Sequence, residues 1–148
     1  MKQSNALLFS LLVLVVAGCE KQAPSDASPQ SSPAAEKAAV ESAQNWLVLV
    51  DAGNYAKSWE EAAALLKSSA SQADFEKSVQ AARTPLGKML SRRIQSQQFT
   101  TSLPGAPDGQ YVVIQYQTAF EHKAAATETI TPMLDKDGQW RVSGYYIK

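Results

Sequence analysis

The chain has 148 residues, with 14 basic and 14 acidic side chains, a single histidine and 45% hydrophobic residues. That length allows one ordinary domain. Without a basic excess the usual electrostatic footprint of nucleic-acid binding is missing, so no nucleic-acid partner is expected. His122 alone cannot build a multi-histidine metal centre.

In chain order, the first segment reads as an export signal. Lys2 is its only charged side chain, and residues 6–17 are apolar except for Ser10. A run of this length is shorter than the about twenty residues a helix needs to span a bilayer. A basic start, a short apolar run and small residues after it describe a secretory signal. The run closes on Val16-Ala17-Gly18-Cys19, and Cys19 is the only cysteine. These four residues resemble the lipobox of bacterial lipoproteins, with Val16 where leucine is more usual. The resemblance implies that residues 1–18 are a lipoprotein signal peptide and that Cys19 is the lipid attachment site. Its thiol then carries a diacylglycerol, its freed amine an acyl chain such as palmitate, and the lipid bilayer is a partner. Two or three acyl chains anchor stably where one is marginal. Glu20, in place of Asp, after the cysteine implies delivery to the outer membrane, periplasmic face, of a Gram-negative bacterium. Loss of Lys2 with the signal leaves 13 basic and 14 acidic side chains, a formal balance of −1.

Residues 20–33, EKQAPSDASPQSSP, hold three prolines, four serines and no large apolar side chain. Such a stretch buries too little surface to fold and reads as a tether. In polyproline geometry its reach is about 43 Å. The expected division is therefore a signal over 1–18, a lipidated N-terminus and tether over 19–33, and one domain over 34–148.

Ser32-Pro33 suits a helix N-cap followed by proline in the first turn. Val40, Ala43, Leu47 and Val50 then recur at helical spacing up to Gly53. Asn54 is placed to cap a second helix carrying Tyr55, Trp59, Ala62 and Leu66. Ser71 and Asp74 have capping-box spacing for a third, showing Phe75, Val79 and Ala82 and ended by Thr84-Pro85-Leu86-Gly87. The period then changes. Strands are predicted at about 89–99, 111–120, 124–133 and 139–147. Val112, Ile114, Tyr116 and Phe120 share one face of the second, and Trp140, Val142 and Tyr146 one face of the fourth. Residues 103–109, LPGAPDG, read as a rigid connection, and Asp135-Lys136-Asp137-Gly138 as a hairpin turn and not a calcium loop. The expected class is α+β: about three N-terminal helices packed on a curved, four-stranded antiparallel sheet, cone-like.

Four stretches, NWLVLVDAGNYAKSWEEAA, RTPLGKMLSRRI, LPGAPDGQYVVIQYQTAFEHKAAATETIT and DGQWRVSGYYIK, together resemble the bacterial family called domain of unknown function 4019, over about residues 38–148. Their helices-then-sheet order is similar to the nuclear-transport-factor-two-like, or cystatin-like, layout, which implies a bent sheet and helices forming a cone, often with a pocket inside. The resemblance carries no established activity onto any residue.

A glycine-rich phosphate loop, HExxH, paired CxxC and GxSxG are all lacking, so catalytic, cofactor and metal assignments are none. Glu128 shares a strand face with Ala126 and Ile130. Inside a cone it would be a pocket acid of the kind related isomerase-type cones use as a base, its pKa raised by apolar surroundings, and Tyr116 or Tyr146 could supply a neighbouring hydroxyl. The favoured arrangement is instead an ion pair with Arg93 or Arg141 on neighbouring strands. Trp140 completes the candidate pocket set of Glu128, Tyr116, Tyr146, Trp140, Arg93 and Arg141, although Trp46, Trp59 and Trp140 read first as core. Arg83, Arg92 and Arg93 read as a solvated basic cluster, and His122 as an exposed turn residue. The expected function is a membrane-anchored, non-enzymatic domain that binds a small molecule or an envelope protein. The alternatives are an isomerase- or hydratase-like enzyme using Glu128 and a structural adaptor working through its helical face.

Overall fold

The computed structural model describes residues 31–148. The expected signal peptide, Cys19 and most of the expected tether lie outside the described residues.

The first helix, α1 (Pro33–Asp51), starts as its sequence demands: the Ser32 hydroxyl accepts from the Ala35 N–H at 3.1 Å, and Pro33 occupies the first turn. Ala39, Ala43, Trp46, Leu47 and Val50 form its buried stripe. Gly53, at φ 75°, follows its end and donates to the Val50 carbonyl. The expected second helix is two: α2 (Tyr55–Glu60) and α3 (Ala64–Ser69). Between them Ala62 and Ala63 are fully buried, and Ala63 turns extended (φ −61°, ψ 153°) to donate its N–H to the Val142 carbonyl at 2.9 Å. A remote carbonyl thus ends a helix that local propensity would continue. Four helices therefore replace the about three expected. The last, α4 (Gln72–Arg83), has the predicted Ser71–Asp74 cap, in which Ser71 Oγ accepts from the Asp74 N–H and donates to its carboxylate at 2.6 Å. A 3₁₀ turn over Thr84–Leu86 and Gly87 lead into the sheet.

Strands β1 (Met89–Thr100), β2 (Tyr111–Phe120), β3 (Lys123–Leu134) and β4 (Trp140–Ile147) form an antiparallel meander in the order β1-β2-β3-β4. The molecule is α+β with an open sheet, as its composition of periods predicts. Val112, Ile114, Tyr116, Ile130 and Val142 face the helices and pack with Ala39, Ala43, Trp46, Leu47, Val50, Phe75 and Val79 in one core. The alternate residues Gln115, Gln117, Thr127, Thr129 and Thr131 occupy the other face. Tyr111 is buried by the 103–109 connection, where its hydroxyl donates to the Pro107 carbonyl at 2.6 Å.

Two register shifts decide which side chains enter the interior. Between β1 and β2 the pairing steps from Ser96↔Gln115 to Ile94↔Tyr116, so Gln95 is extra. Unbroken pairing from Gln97↔Ile114 would set Arg93 opposite Thr118; the bulge sets Arg92 there. Between β3 and β4 the pairing steps from Pro132↔Val142 to Thr131↔Gly144. The extra Ser143 turns Tyr146 outward, where it is 62% exposed, and brings Tyr145 inward against Trp46. The expectation that Tyr146 shares the inner face with Trp140 and Val142 is corrected accordingly.

Candidate functional site

The inner end of the sheet holds a cluster of charge. Glu128, on β3, is fully buried, and its inward orientation follows from the alternation with Ala126 and Ile130, both also buried. Arg83 ends α4 at 5% exposure, Arg92 enters from β1 at 11%, and Asp51 closes α1 at 19%. Two carboxylates and two guanidiniums therefore sit together with no formal charge left over.

The hydrogen bonding is dense. Glu128 Oε1 accepts from Arg83 Nη1 (3.2 Å), Arg92 Nη2 (3.2 Å) and the Tyr145 hydroxyl (2.7 Å). Its Oε2 accepts from Arg92 Nε (2.6 Å) and the Thr118 hydroxyl (2.5 Å). Asp51 takes Arg83 Nη2 at 2.6 Å on Oδ1, and is held bidentately by Arg92, with Nη1 on Oδ2 at 2.6 Å and Nη2 on Oδ1 at 2.9 Å. The Arg83 guanidinium also lies over the Phe120 ring, 4.6 Å from its centroid. A carboxylate offers about four lone-pair directions, and the donors around Glu128 use them all.

This environment shifts the neighbours. Burial works against the charge of Arg92, but the hydrogen bonds and charges of Asp51 and Glu128 outweigh it and hold its pKa above the ordinary arginine value. Burial, then the Glu128 charge and hydrogen bond, push the Tyr145 phenol well above the usual tyrosine range. Tyr116, opposite Glu128 in the β2–β3 register, is also raised, chiefly by burial. Its hydroxyl is buried with no hydrogen-bond partner among the described residues.

The six residues singled out from the sequence do not form one pocket. Glu128 and Tyr116 are neighbours inside. Arg93 lies on the opposite face, exposed, with its guanidinium 3.5 Å from Gln117. Arg141 is occupied by the β3–β4 turn, bonding Asp135 at 3.1 Å and Asp137 at 2.8 Å on each of two nitrogens. Neither is a partner of Glu128, because the β1 bulge selects Arg92 and because Arg83 arrives from α4. Trp140 packs at the edge of the core, its carbonyl accepting from the Ser42 hydroxyl at 2.8 Å. The expected ion pair exists, but with other arginines, and the basic cluster expected to be solvated contributes two of its three members to the interior. His122 is exposed in the β2–β3 turn, as read. Asp51, Thr118 and Tyr145 escaped the sequence reading, and Arg83 entered it only as part of the solvated cluster. One signal for Asp51 was available: a carboxylate ending the nearly all-apolar run NWLVLV must find a partner.

Where the cluster nears the surface, Asp51, Gly53, Tyr55, Arg83, Gly87 and Lys88 line a shallow groove of about 320 Å³. Glu128 does not line it. Among the described residues, no group of three or more His, Cys, Asp or Glu is placed to hold a metal ion.

No curated protein and no solved structure matches the chain. A family model described as "Protein of unknown function (DUF4019)" matches residues 42–145, a span that starts within α1 and contains Asp51, Arg83, Arg92, Thr118, Glu128 and Tyr145. The chain therefore belongs to the DUF4019 family, and its buried charge cluster lies wholly inside the region that defines membership.

Proposed function

We propose that this protein is a lipid-anchored domain of the bacterial cell envelope that works by binding another protein, not by catalysis. The observation that carries the non-enzymatic part is the saturation of Glu128: a carboxylate accepting five hydrogen bonds in full burial has no free lone pair with which to take a substrate proton. The interior that an isomerase-type cone would keep open holds instead Trp46, Leu47, Ile114, Tyr116 and Ile130. Binding then falls to the outer surface. The anchor rests on the resemblance of Val16-Ala17-Gly18-Cys19 to a lipobox and on the proline- and serine-rich stretch after it. That resemblance also points to the outer membrane, periplasmic face.

Two measurements test the parts separately. Metabolic labelling with an alkyne-bearing fatty acid should mark the parent chain in the membrane fraction and leave a Cys19→Ser variant unlabelled and soluble; equal labelling of both sinks the anchor. Native mass spectrometry of the purified chain should show the protein mass without a stoichiometric small molecule. A retained metabolite would replace the protein-interaction reading with a ligand-binding one.

A further inference from the structure

Both edge strands of an open sheet expose backbone donors and acceptors, and β4 treats its two halves differently. At its start, the Val142 carbonyl accepts from the Ala63 N–H, so the α2–α3 connection already sits on that edge as a partner strand would. Further on the edge is bare. Thr127 and Lys148 exchange both backbone hydrogen bonds, Thr127 N–H to Lys148 at 2.9 Å and Lys148 N–H to Thr127 at 3.1 Å. Hydrogen-bonded and non-hydrogen-bonded pairs alternate in an antiparallel ladder. Tyr146 and Gly144 therefore bond inward to β3, while the N–H and C=O groups of Tyr145 and Ile147 point away from the sheet. Among the described residues these outward groups have no backbone partner.

Beside this bare edge runs a groove of about 340 Å³. One wall is β4 from Ser143 to Ile147, and the other is α3 and α4, through Leu66, Phe75, Ser78, Val79 and Ala82. Leu66, Phe75 and Val79 are mostly buried yet still line it, which makes its floor apolar.

The geometry points to an extended peptide segment of a partner protein as the occupant, added as a fifth strand antiparallel or parallel to β4. It would pair with Tyr145 and Ile147 and place alternate apolar side chains against Leu66, Phe75 and Val79. The occupant is an extended strand because only a strand supplies outward N–H and C=O groups at the spacing of Tyr145 and Ile147, about 4.8 Å from β4. It is a single segment and not the β4 edge of a second copy. Pairing of two copies through this edge would instead show as self-association of the unliganded chain. This inference rests on the protein-interaction reading above and names its surface.

The test uses the full chain in detergent and a fluorescein-labelled peptide of alternating valine and threonine flanked by lysines. Binding should raise its anisotropy and shift the amide resonances of Tyr145 and Ile147. Ser78→Arg, on the exposed face of α4, puts a long side chain in the groove and should weaken binding roughly tenfold or more, as should N-methylation of the peptide at positions of one parity but not of the other. Ile147→Pro removes one outward N–H and should weaken it similarly. No binding at millimolar peptide, or binding indifferent both to Ser78→Arg and to methylation parity, overturns the proposal. So does self-association of the unliganded chain that Ser78→Arg abolishes, since the edge would then belong to a second copy. If the peptide fails while the mass spectrum is ligand-free, the interaction reading stands and this edge is discarded.

Discussion

Single residues show how costs are placed. The Tyr116 hydroxyl is buried without a partner among the described residues, and a donor in that position loses its hydration for nothing. Tyr116→Phe should leave the packing intact and raise the stability measured by urea unfolding by up to about 1 kcal/mol; a clear loss would mean that the hydroxyl is satisfied after all. At the surface, Asp137 is held at about 2, first by its hydrogen bonds from Arg141 and then by the Gln139 N–H. Its folded pKa lies below the ordinary aspartate value of 3.8, so its contribution to stability is present above that value and fades as pH falls toward about 2. A carboxyl-detected NMR titration should place the Asp137 midpoint near 2, and Arg141→Gln should move it upward. Because Asp137 is exposed, the effect belongs to the turn and not to global stability.

At the scale of elements, the junction from α4 into β1 depends on Gly87. Its φ of 74° with ψ of −159° lies in a region essentially reserved for glycine, and an added Cβ would stand 2.7 Å from a Glu121 carboxylate oxygen and 2.9 Å from its Cβ. Gly87→Ala should therefore cost about 1–3 kcal/mol in urea unfolding; an unchanged midpoint would show that the junction relaxes freely. The helices and strands themselves were legible because their signals are local: caps at Ser32 and Ser71, a stop at Gly53, alternation in β2. The break between α2 and α3 was not, since its cause, the Val142 carbonyl, is remote in sequence. The exchange of Arg93 for Arg92 and of Tyr146 for Tyr145 has a comparable origin. Period-two reading assumes an unbroken ladder, and one extra residue at Gln95 or Ser143 reverses every assignment beyond it.

Across the whole molecule, the charge cluster ties α1, α4, β1 and β3 at one point, with β2 and β4 joining through Thr118 and Tyr145. Its partners are buried, so removing one leaves an uncompensated charge. Glu128→Met should cost about 3–5 kcal/mol, whereas Glu128→Met combined with Arg92→Met removes one charge of each sign and should recover much of that loss. Urea unfolding of the two single variants and the double decides it. A double variant as unstable as the sum of the singles would mean that the cluster contributes by packing alone. Such a cluster specifies how the helical layer meets the sheet, and its exhaustion by internal partners is why the outer edge of β4 is the better place to look for recognition.

The sequence by itself determined the α+β order, the strand limits to within a residue or two, the caps at Ser32 and Ser71, the turns, and the strand face that Glu128 shares with Ala126 and Ile130. Each of these is set by interactions among residues close in the chain or by simple periodicity. Only the tertiary structure decided which arginines meet Glu128, which tyrosine turns inward, where the second helix breaks and which stretch of β4 stays unpaired. Those outcomes depend on cross-strand register and on hydrogen-bond partners far apart in sequence, where one inserted residue changes the answer without altering the local pattern.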